Sequence, residues 1–432
     1  MINGCEGNLD KKYRISELIE QGVLVIGDGY RAKNSELTQK GIPFARAGNI
    51  NNGDFLFDRA DYFPPENLHK VGEKVSQVGD VVFTSKGTVG RFAYVTERVP
   101  RFVYSPQLCF WRSKNQDVIQ SRYLYYWMQS KEFLQQMNAV KSQTDMADYV
   151  SLSDQRKMYI TVPSIKKQEA ISFILGSLDD KIELNRRMNE TLEQMAMALY
   201  KHWFVDFGPF QDGEFVESEM GMIPQGWTVK QLGDLVSIQT SSVNPAKYEE
   251  NLFLHYSIPA YDEKMRPKLE KSWEIKSNKY LIKQNSILVS KLNPETYRIW
   301  TVFAEPSQYE RICSTEFIVY EPKNENAWAF LNAYFRDDSF INEFRSHAAG
   351  TTGSRQRVTP RKTLEFKLVV SPDSVLEQFN RICSDFYEIQ NKNLRENEVL
   401  TEIRDYLLPR LLSGEIELRE AEEQVEEVLA NA

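Results

Sequence analysis

Two carboxylates and a lysine in the second half of the chain have the spacing found in metal-dependent nucleases. Asp262 is followed downstream by Glu274-Ile-Lys276, and in such enzymes two carboxylates hold magnesium beside a lysine. The surrounding segment is rich in Lys and Glu, so the same pattern also arises readily by chance. A nuclease that uses Asp262, Glu274 and Lys276 is therefore kept as an alternative interpretation.

Other catalytic motifs are absent from the sequence. It contains no Gly-x-x-x-x-Gly-Lys-Ser/Thr loop for nucleotide phosphates, no His-Glu-x-x-His zinc motif and no Asn-Pro-Pro-aromatic motif of amino methyltransferases. The four histidines lie far apart and the four cysteines are scattered, which indicates neither a local metal site nor a disulfide framework. We expect no catalytic site, no metal and no cofactor in this chain.

A cation-bearing loop with two glycines offers a different chemistry, the binding of phosphate and base edges. The segment Thr84-Ser-Lys-Gly-Thr-Val-Gly-Arg91 follows the apolar run Asp80-Val-Val-Phe83. Its glycines permit a tight turn that brings backbone N–H groups and two cations to one surface. Lysine suits phosphate as a point charge, whereas arginine can bind guanine through two hydrogen bonds. We predict nucleic-acid contacts at Lys86, Thr88 and Arg91.

The second half carries two comparable clusters. Lys291 and Arg298 follow the apolar run Ile287-Leu-Val289, and Arg355, Gln356 and Arg357 close a segment that begins at Gly350. Arg298 is the candidate for base recognition in the first cluster, and Gln356 can in principle recognise adenine. The counterpart of the second cluster, Ser142-Gln-Thr144, is less basic. For every candidate in the three clusters, an ordinary solvated surface residue is the alternative.

The distribution of charge along the chain fits two anion-binding modules. The net charge is −8, yet residues 10–164 hold 21 Lys and Arg against 17 Asp and Glu, and residues 227–370 hold 20 against 17. The segments outside these two blocks are acidic. Two mildly basic blocks on an acidic frame are typical of two nucleic-acid-binding domains, although a chance variation of a few charges gives the same counts.

The chain reads as one unit repeated twice. The segment Tyr13-Arg-Ile-Ser-Glu-Leu18 opens the first half with a short strand-like stretch, and Trp227-Thr-Val-Lys-Gln-Leu-Gly-Asp-Leu235 opens the second. At an offset of 208 residues, the segment from Thr144 to Val162 matches that from Thr352 to Val370. A helical pattern follows each match, which predicts two similar domains that are each followed by a helix.

Both helical patterns repeat every 3.5 residues, the period of a helix that packs along another helix. Polar residues near the middle of the seam (Asn185, Asn189, Asn393 and Glu396) can fix its register. Because the two seams share a phase, we predict that the helices pack on each other; the alternative is that each covers its own domain. The apolar seam positions are Ile171, Leu175, Leu178, Ile182 and Leu192 in the first helix, and Ile382, Phe386, Ile389, Leu400, Ile403 and Leu407 in the second.

Four further segments resemble the specificity subunits of type I restriction-modification enzymes. Ser177-Leu-Asp-Asp-Lys-Ile-Glu-Leu-Asn-Arg-Arg-Met-Asn-Glu-Thr-Leu192 and Trp203-Phe-Val-Asp-Phe207 resemble the central region of that family. Met220-Gly-Met-Ile-Pro-Gln-Gly-Trp227 resembles the entry to its second domain, and Leu407-Leu-Pro-Arg-Leu-Leu-Ser-Gly-Glu-Ile416 resembles its distal helix ending. No single segment is specific, but they occur in the order of the family, and its succession of domain, helix, domain and helix covers nearly the whole chain.

The resemblance implies a mixed α/β (α+β) protein with two target-recognition domains, a pseudo-twofold internal repeat and two long antiparallel coiled-coil helices. In that family each domain recognises one half of a split target in double-stranded DNA. Methylation subunits dock on the helices and methylate adenines, and motor-nuclease subunits complete the restriction complex. S-adenosylmethionine, ATP and magnesium are then expected in those partner subunits, and this chain is expected to be non-catalytic.

The expected organisation follows from the repeat and the resemblance. Residues 1–164 form the first recognition domain, 165–207 the central spacer helix, 208–226 a linker, 227–372 the second recognition domain, 373–414 the distal helix and 415–432 an acidic tail. The 29 residues from Ile171 to Leu199 span roughly 43 Å as a helix, about 12 base pairs of duplex. We therefore predict that helix length sets the gap between two half-sites.

A coiled-coil scaffold that binds only proteins is the remaining alternative. It explains the helices and the acidic C-terminal segment but gives the two basic, glycine-containing domains no role. Salt-sensitive binding to duplex DNA separates the two interpretations, because phosphate contacts weaken as salt rises. The sequence also lacks a long apolar span and a signal-peptide pattern, so we expect a cytoplasmic protein that does not bind membranes.

Overall fold

The computed structural model describes residues 10–51, 53–58, 60–140, 142–143, 148–248, 251–304, 306–350 and 355–430. The chain divides into two compact units. The first unit comprises Met1–Glu183 and Glu396–Ala432, and the second comprises Leu184–Arg395. Each unit therefore contains one α/β domain and a part of each of two long helices.

The first unit is built around a four-stranded antiparallel sheet. Its strand order is Leu24–Asp28, Leu108–Ser113, Val81–Thr84 and Phe92–Tyr94. The continuous apolar run of Val81–Thr84 fits a central strand that is covered on both faces, and all four of its residues are buried. Helices Ser121–Trp127 and Lys131–Val140 cover one face, where Trp111, Trp127 and Phe133 pack edge to face.

A smaller three-stranded sheet completes this domain, in the order Asp61–Phe63, Ile42–Ala45 and Val103–Tyr104. The opening strand Lys11–Arg14 pairs with the closing strand Tyr159–Val162. The remaining elements are helices Ile15–Glu20 and Leu152–Gln155, strand pairs Ile50–Asn51 with Asp54–Phe55 and Ser142–Gln143 with Asp148–Tyr149, and 3-10 turns Asn34–Glu36, Ala47–Asn49 and Pro65–Lys70.

The second unit repeats this topology. Its four-stranded sheet has the order Val236–Gln239, Phe317–Pro322, Ser286–Ser290 and Ile299–Val302, and helices Trp328–Tyr334 and Asp338–Ser346 follow it in the chain. Its second sheet has five strands, in the order Ser242–Val243, Lys279–Ile282, Glu310–Ser314, Leu252–Tyr256 and Lys268–Lys271. The other elements are helices Leu232–Leu235, Ile258–Lys264 and Pro360–Thr363, strand pairs Thr228–Gln231 with Lys367–Val370, Phe215–Ser218 with Gly221–Pro224 and Ala348–Ala349 with Arg357–Val358, and short turns Lys201–Val205, Gly208–Phe210, Pro245–Lys247, Ser272–Glu274 and Glu325–Ala327.

The internal repeat is confirmed in its details. Helix Leu152–Gln155 and strand Tyr159–Val162 correspond to helix Pro360–Thr363 and strand Lys367–Val370 at the offset of 208 residues that the sequence predicts. In each unit the closing strand pairs antiparallel with the opening strand of the same domain. The two halves therefore share one fold, as their matching sequences indicate.

Two long helices follow the two domains. They span Ile165–Tyr200 and Asp373–Ser413, with 36 and 41 residues. The helices run antiparallel within each unit. Arg404 Nη1 donates to Asp179 Oδ1 at 2.8 Å in the first unit, and Asn393 Nδ2 donates to Asn189 Oδ1 at 2.8 Å in the second. The predicted seam residues of the first helix, Ile171, Leu175, Leu178, Ile182 and Leu192, are all buried.

The seam of the second helix differs from the prediction at its start. Ile382 and Ile389 are exposed and Phe386 is only partly buried, whereas Phe379, Cys383 and Tyr387 are buried instead. Phe379 packs edge to face on Phe204 with ring centroids 4.9 Å apart, so an aromatic contact sets the phase there. From Asn393 onward the prediction fits, since Leu400 and Leu407 are buried and Ile403 is partly buried.

The acidic C-terminal segment contains a helix, Leu418–Ala430. Ile416, Ala421 and Val425 are buried in the same apolar cluster as Leu407 and Leu411 of the second long helix. The glutamates occupy the exposed positions of this amphipathic helix. None of the helices in the described ranges is long and apolar enough to cross a membrane.

Candidate nucleic-acid interface

The glycine-containing loop of the first unit is held by three backbone hydrogen bonds. Ser85 N donates to Gln107 O at 2.9 Å, Gly87 N donates to Asp148 O at 3.0 Å, and Val150 N donates to Ser85 O at 3.0 Å. The loop is therefore fixed between the strand that precedes it and the segment that closes the domain.

The second unit holds its corresponding loop with the same three bonds. Lys291 N donates to Glu316 O at 2.9 Å, Asn293 N donates to Gln356 O at 2.9 Å, and Val358 N donates to Lys291 O at 3.0 Å. The structure thus joins the two clusters of the second half that the sequence shows 64 residues apart, at Lys291 and Arg355. We call each arrangement the loop frame of its unit.

In the first loop frame the predicted cations are accessible. Lys86, Thr88 and Arg91 are exposed. Gly87 and Gly90 have φ angles of 85° and 97°, a region that side-chain-bearing residues rarely adopt, so both glycines are needed for this turn. The hydroxyl of Thr84 donates to Thr88 O and accepts from Arg91 N, which ties the two ends of the turn together.

Sequence reasoning missed one cation at this frame. Arg31 is exposed. Burial raises the pKa of Tyr149, and the positive charge of Arg31 partly opposes this rise. Tyr149 forms a β-bridge with Lys86, so Arg31 lies near the exposed loop. Arg31 follows the strand Leu24–Asp28, and no spacing in the sequence links it to Lys86.

In the second loop frame two predicted arginines are engaged by carboxylates. Arg298 is buried, and its Nε and Nη2 atoms donate to Asp262 at 2.6 and 2.9 Å. Arg357 donates to Glu316 at 3.0 and 3.1 Å, and this carboxylate raises the pKa of Arg357. A planar guanidinium whose fork already binds a carboxylate cannot also bind guanine in the same way. The assignment of Arg298 to base recognition is therefore corrected to a structural role.

The other candidates of the second half differ in exposure. Arg355 is exposed, while Lys291 and Gln356 are half-buried. Residues 351–354 and 144, which belong to the clusters identified in the sequence, lie outside the described residues, and so do the side chains of Ser142 and Gln143.

The nuclease alternative finds no support in the positions of its residues. The Asp262 carboxylate binds Arg298, and Glu274 Oε2 accepts from Lys271 N at 3.1 Å. Over the described ranges of the chain, no group of three or more His, Cys, Asp and Glu side chains could hold a metal ion.

A comparison with protein families finds a match in the first half of the chain. Residues 11–194 match the type I restriction modification DNA specificity domain, the range that contains the first loop frame and most of the first long helix. The matched range is thus similar to the DNA specificity domain of type I restriction-modification enzymes.

Similarity to specificity subunits extends over nearly the whole chain. It is 24% identical over 427 residues to the specificity subunit of the type I restriction enzyme MjaIX of Methanocaldococcus jannaschii, covering 96% of both chains. It is 23% identical over 442 residues to the HindI specificity subunit of Haemophilus influenzae, covering 87% of this chain and 94% of that one. The fold resembles the crystal structure of a type I S subunit from M. genitalium, with a TM-score of 0.50, 15% identity and coverage of 95% and 98%.

Two segments that carry the family resemblance belong to the apolar cores. Phe204, in the segment Trp203–Phe207, is buried against Phe330 and Phe379 in the second unit. In the distal segment Leu407 and Leu411 are buried in the core of the first unit. Both segments therefore anchor the end of a long helix to the domain of their own unit.

Proposed function

We propose that this chain recognises a bipartite sequence in double-stranded DNA for a type I restriction-modification complex. Each domain recognises one half-site and directs adenine methylation or restriction by partner subunits. The observation that carries this proposal is the loop frame, which occurs twice with the same three hydrogen bonds. Two copies of one binding device in one chain fit two half-sites.

The structure suggests which residues act in each half-site. In the first domain Lys86 and Thr88 contact phosphates and Arg91 contacts a base edge, because all three are exposed on a fixed turn. In the second domain Lys291, Arg355 and Gln356 take these roles. Arg298 and Arg357 instead stiffen the second loop frame through their carboxylate partners.

Catalysis belongs to the partner subunits in this proposal. Methylation subunits bind S-adenosylmethionine, and motor-nuclease subunits bind ATP and magnesium, so this chain contributes recognition alone. The complex acts in the cytoplasm, where its DNA target is. The long helices offer a docking face for the methylation subunits. Exposed apolar side chains along the first helix support this role, among them Phe173, Leu184, Met188 and Met195.

Methylation mapping tests the proposal. We would co-express the chain with its methylation subunit in a host that lacks adenine methylation and map every methylated adenine by single-molecule sequencing. We expect two short specific blocks around a fixed unspecific gap. A continuous motif, or no methylation by a complex that assembles normally, would contradict two half-site domains and favour the scaffold interpretation.

A variant assigns the first loop frame to one block. The double substitution Lys86→Gln and Arg91→Gln should relax or abolish recognition of one block and leave the sequence of the other unchanged. The matched control is Lys157→Gln, an exposed lysine of the same domain that pairs with Asp154 at 2.9 Å, and it should leave the motif intact. If both variants methylate the wild-type motif at the wild-type rate, Lys86 and Arg91 are not recognition residues.

A further inference from the structure

An exposed tryptophan lies beside the edge strand of the second unit. Strand Lys268–Lys271 is the last strand of the five-stranded sheet, and the turn Ser272–Glu274 follows it. Trp273 in this turn is 54% exposed, whereas Trp203 is half-buried and the five other tryptophans of the chain are buried. A large exposed indole is typical of a contact surface.

The sequence segment that contains this tryptophan is rich in lysine. Residues 266–283 contain six Lys and Arg against two Glu, so the positive excess of the second domain is concentrated in this segment. Lys268, Lys271 and Lys276 are exposed, and the Lys271 ammonium lies 5.0 Å from the centroid of the Trp273 ring. Lys268 also pairs with Glu263 at 2.8 Å, in a solvent-exposed ion pair that phosphate can replace. We call Lys268, Leu269, Lys271, Trp273 and Lys276 the edge patch.

The edge patch is held on a rigid support. Ser272 and Ile275, on either side of the Trp273–Glu274 pair, are buried. Glu270 Oε2 lies 2.6 Å from Nδ1 of His255 on the neighbouring strand. Because a carboxylate oxygen only accepts, His255 Nδ1 donates this hydrogen bond, and burial lowers the pKa of His255. Glu274 accepts from Lys271 N at 3.1 Å, so both glutamates of the segment serve to fix the strand and its turn.

The first unit has the opposite distribution of charge. Its corresponding edge strand, Asp61–Phe63, contains no cation, and Asp61 pairs with Arg46 at 2.6 Å. Its loop frame, however, exposes Lys86 and Arg91. In the second loop frame Arg298 and Arg357 are engaged by Asp262 and Glu316, and Arg355 is exposed. Among the described residues, the two domains therefore differ in where these exposed cations lie: at the loop frame in the first domain, and at the edge strand as well as Arg355 in the second.

We propose that the edge patch is a second DNA contact of this chain, specific to the second domain. Its lysines bind backbone phosphates, and the Trp273 indole packs on deoxyribose or base edges in a groove of the duplex. The occupant is duplex DNA because the patch combines a positive surface with an exposed aromatic ring. The inference rests on the proposed function and adds a surface that the loop frames do not include.

Fluorescence quenching by acrylamide tests the contact directly. Since Trp273 is the one tryptophan with a largely exposed ring, it accounts for most of the quenchable emission of the full-length chain. Saturating amounts of a duplex with the mapped target sequence should lower the quenching constant of the wild type. In Trp273→Phe the quenching constant should be low already, and DNA should not lower it further. Bound duplex that leaves the wild-type quenching unchanged would overturn the proposal.

Binding measured by fluorescence anisotropy at several salt concentrations gives a second readout. The double variant Lys268→Gln and Lys271→Gln should reduce the slope of log K against log salt by about 1.8, since each phosphate contact contributes about 0.9. Trp273→Ala should bind about tenfold more weakly, because roughly half an indole is no longer buried on binding. The matched control is Lys362→Gln, an exposed lysine of the second unit paired with Glu365, which should bind as the wild type does.

The outcomes separate the two proposals. If the wild-type chain shows no salt-sensitive binding to the target duplex, the proposed function fails and the edge-patch contact fails with it. If the wild type binds, Lys86→Gln weakens binding and the edge-patch variants bind as the wild type does, the DNA-binding function stands and the edge-patch contact alone is wrong.

Discussion

Asp80 and Arg112 form a buried ion pair at the end of strand Val81–Thr84 that is opposite the first loop frame. Asp80 is fully buried, and it accepts from Arg112 Nε at 2.6 Å, Arg112 Nη2 at 2.8 Å and Tyr104 Oη at 2.6 Å. Arg112→Leu should lower the free energy of unfolding by about 3 to 5 kcal/mol, because it leaves a carboxylate buried without its cation. Urea denaturation measures this loss.

The matched control for this prediction is the other buried arginine with a bidentate partner. Arg298→Leu removes the ion pair with Asp262, but the Asp262 side chain is 47% exposed and remains hydrated. The loss of stability should then be at most about 1 kcal/mol. Equal losses in the two variants would show that carboxylate burial does not govern the stability of these pairs.

At the residue scale the sequence predicts which segments carry the candidate DNA-binding side chains. It does not predict which of these side chains are accessible and which are engaged by a carboxylate. The loops after Val81–Thr84 and Ser286–Ser290 could be recognised because an apolar run ends in glycine, asparagine and cations. The engagement of Arg298 could not, since Asp262 lies 36 residues earlier and meets it only when the helix Ile258–Lys264 folds beside the strand Ile299–Val302. The difference between an accessible and an engaged arginine therefore depends on tertiary contacts.

At the scale of elements the first long helix follows its sequence pattern and the second departs from it. A strict repeat of 3.5 residues drifts by about 20° per heptad relative to a straight helix. In the second helix Phe379 and Tyr387 turn towards the core, which shifts the packed face by one residue as far as Asn393. Phe204, the aromatic residue on which Phe379 packs, follows the first long helix. The apolar pattern of the second helix alone therefore does not predict which of its faces is packed.

A polar layer couples the two helices within the second unit. Asn393 Nδ2 donates to Asn189 Oδ1 at 2.8 Å, and Gln390 Nε2 donates to Asn189 O at 2.9 Å. Asn393→Leu should lower the free energy of unfolding by about 1 kcal/mol, because the half-buried Asn189 loses the donor to its side-chain oxygen. Changing Asn189 and Asn393 together to Leu should recover most of the loss, since two apolar partners can pack.

A double-mutant cycle in urea checks this coupling, with Asn189→Leu as the fourth member. The exposed pair Met188→Leu and Leu394→Met serves as the control, because these two positions lie on the same helices outside the packed face. Additive losses for Asn189 and Asn393 would mean that the polar layer does not act as a unit.

At the scale of the whole molecule, repetition was the most informative property of the sequence. The offset of 208 residues relates the closing helix and strand of the first domain to those of the second, because the differences in length between the halves fall before these elements. The C-terminal helix Leu418–Ala430 has no counterpart in the repeat, and its many glutamates conceal the buried positions Ala421 and Val425. Ala421 and Val425 pack with Leu407 and Leu411 in one buried cluster. This tertiary contact, and not the pattern of the C-terminal helix, shows which of its residues are buried.

The length of the two long helices should determine the gap between the half-sites. Seven residues inserted after Glu183 and seven after Arg395 keep the packed face in phase and lengthen each helix by about 10 Å. The mapped methylation motif should then keep both specific blocks and gain about three base pairs in its gap, at about 3.4 Å per base pair. Four residues inserted after Glu183 alone rotate one face by about 40° and should abolish methylation, which serves as the control. If the doubly lengthened chain methylates the wild-type motif, the helices do not set the distance, and the gap must be fixed by the partner subunits.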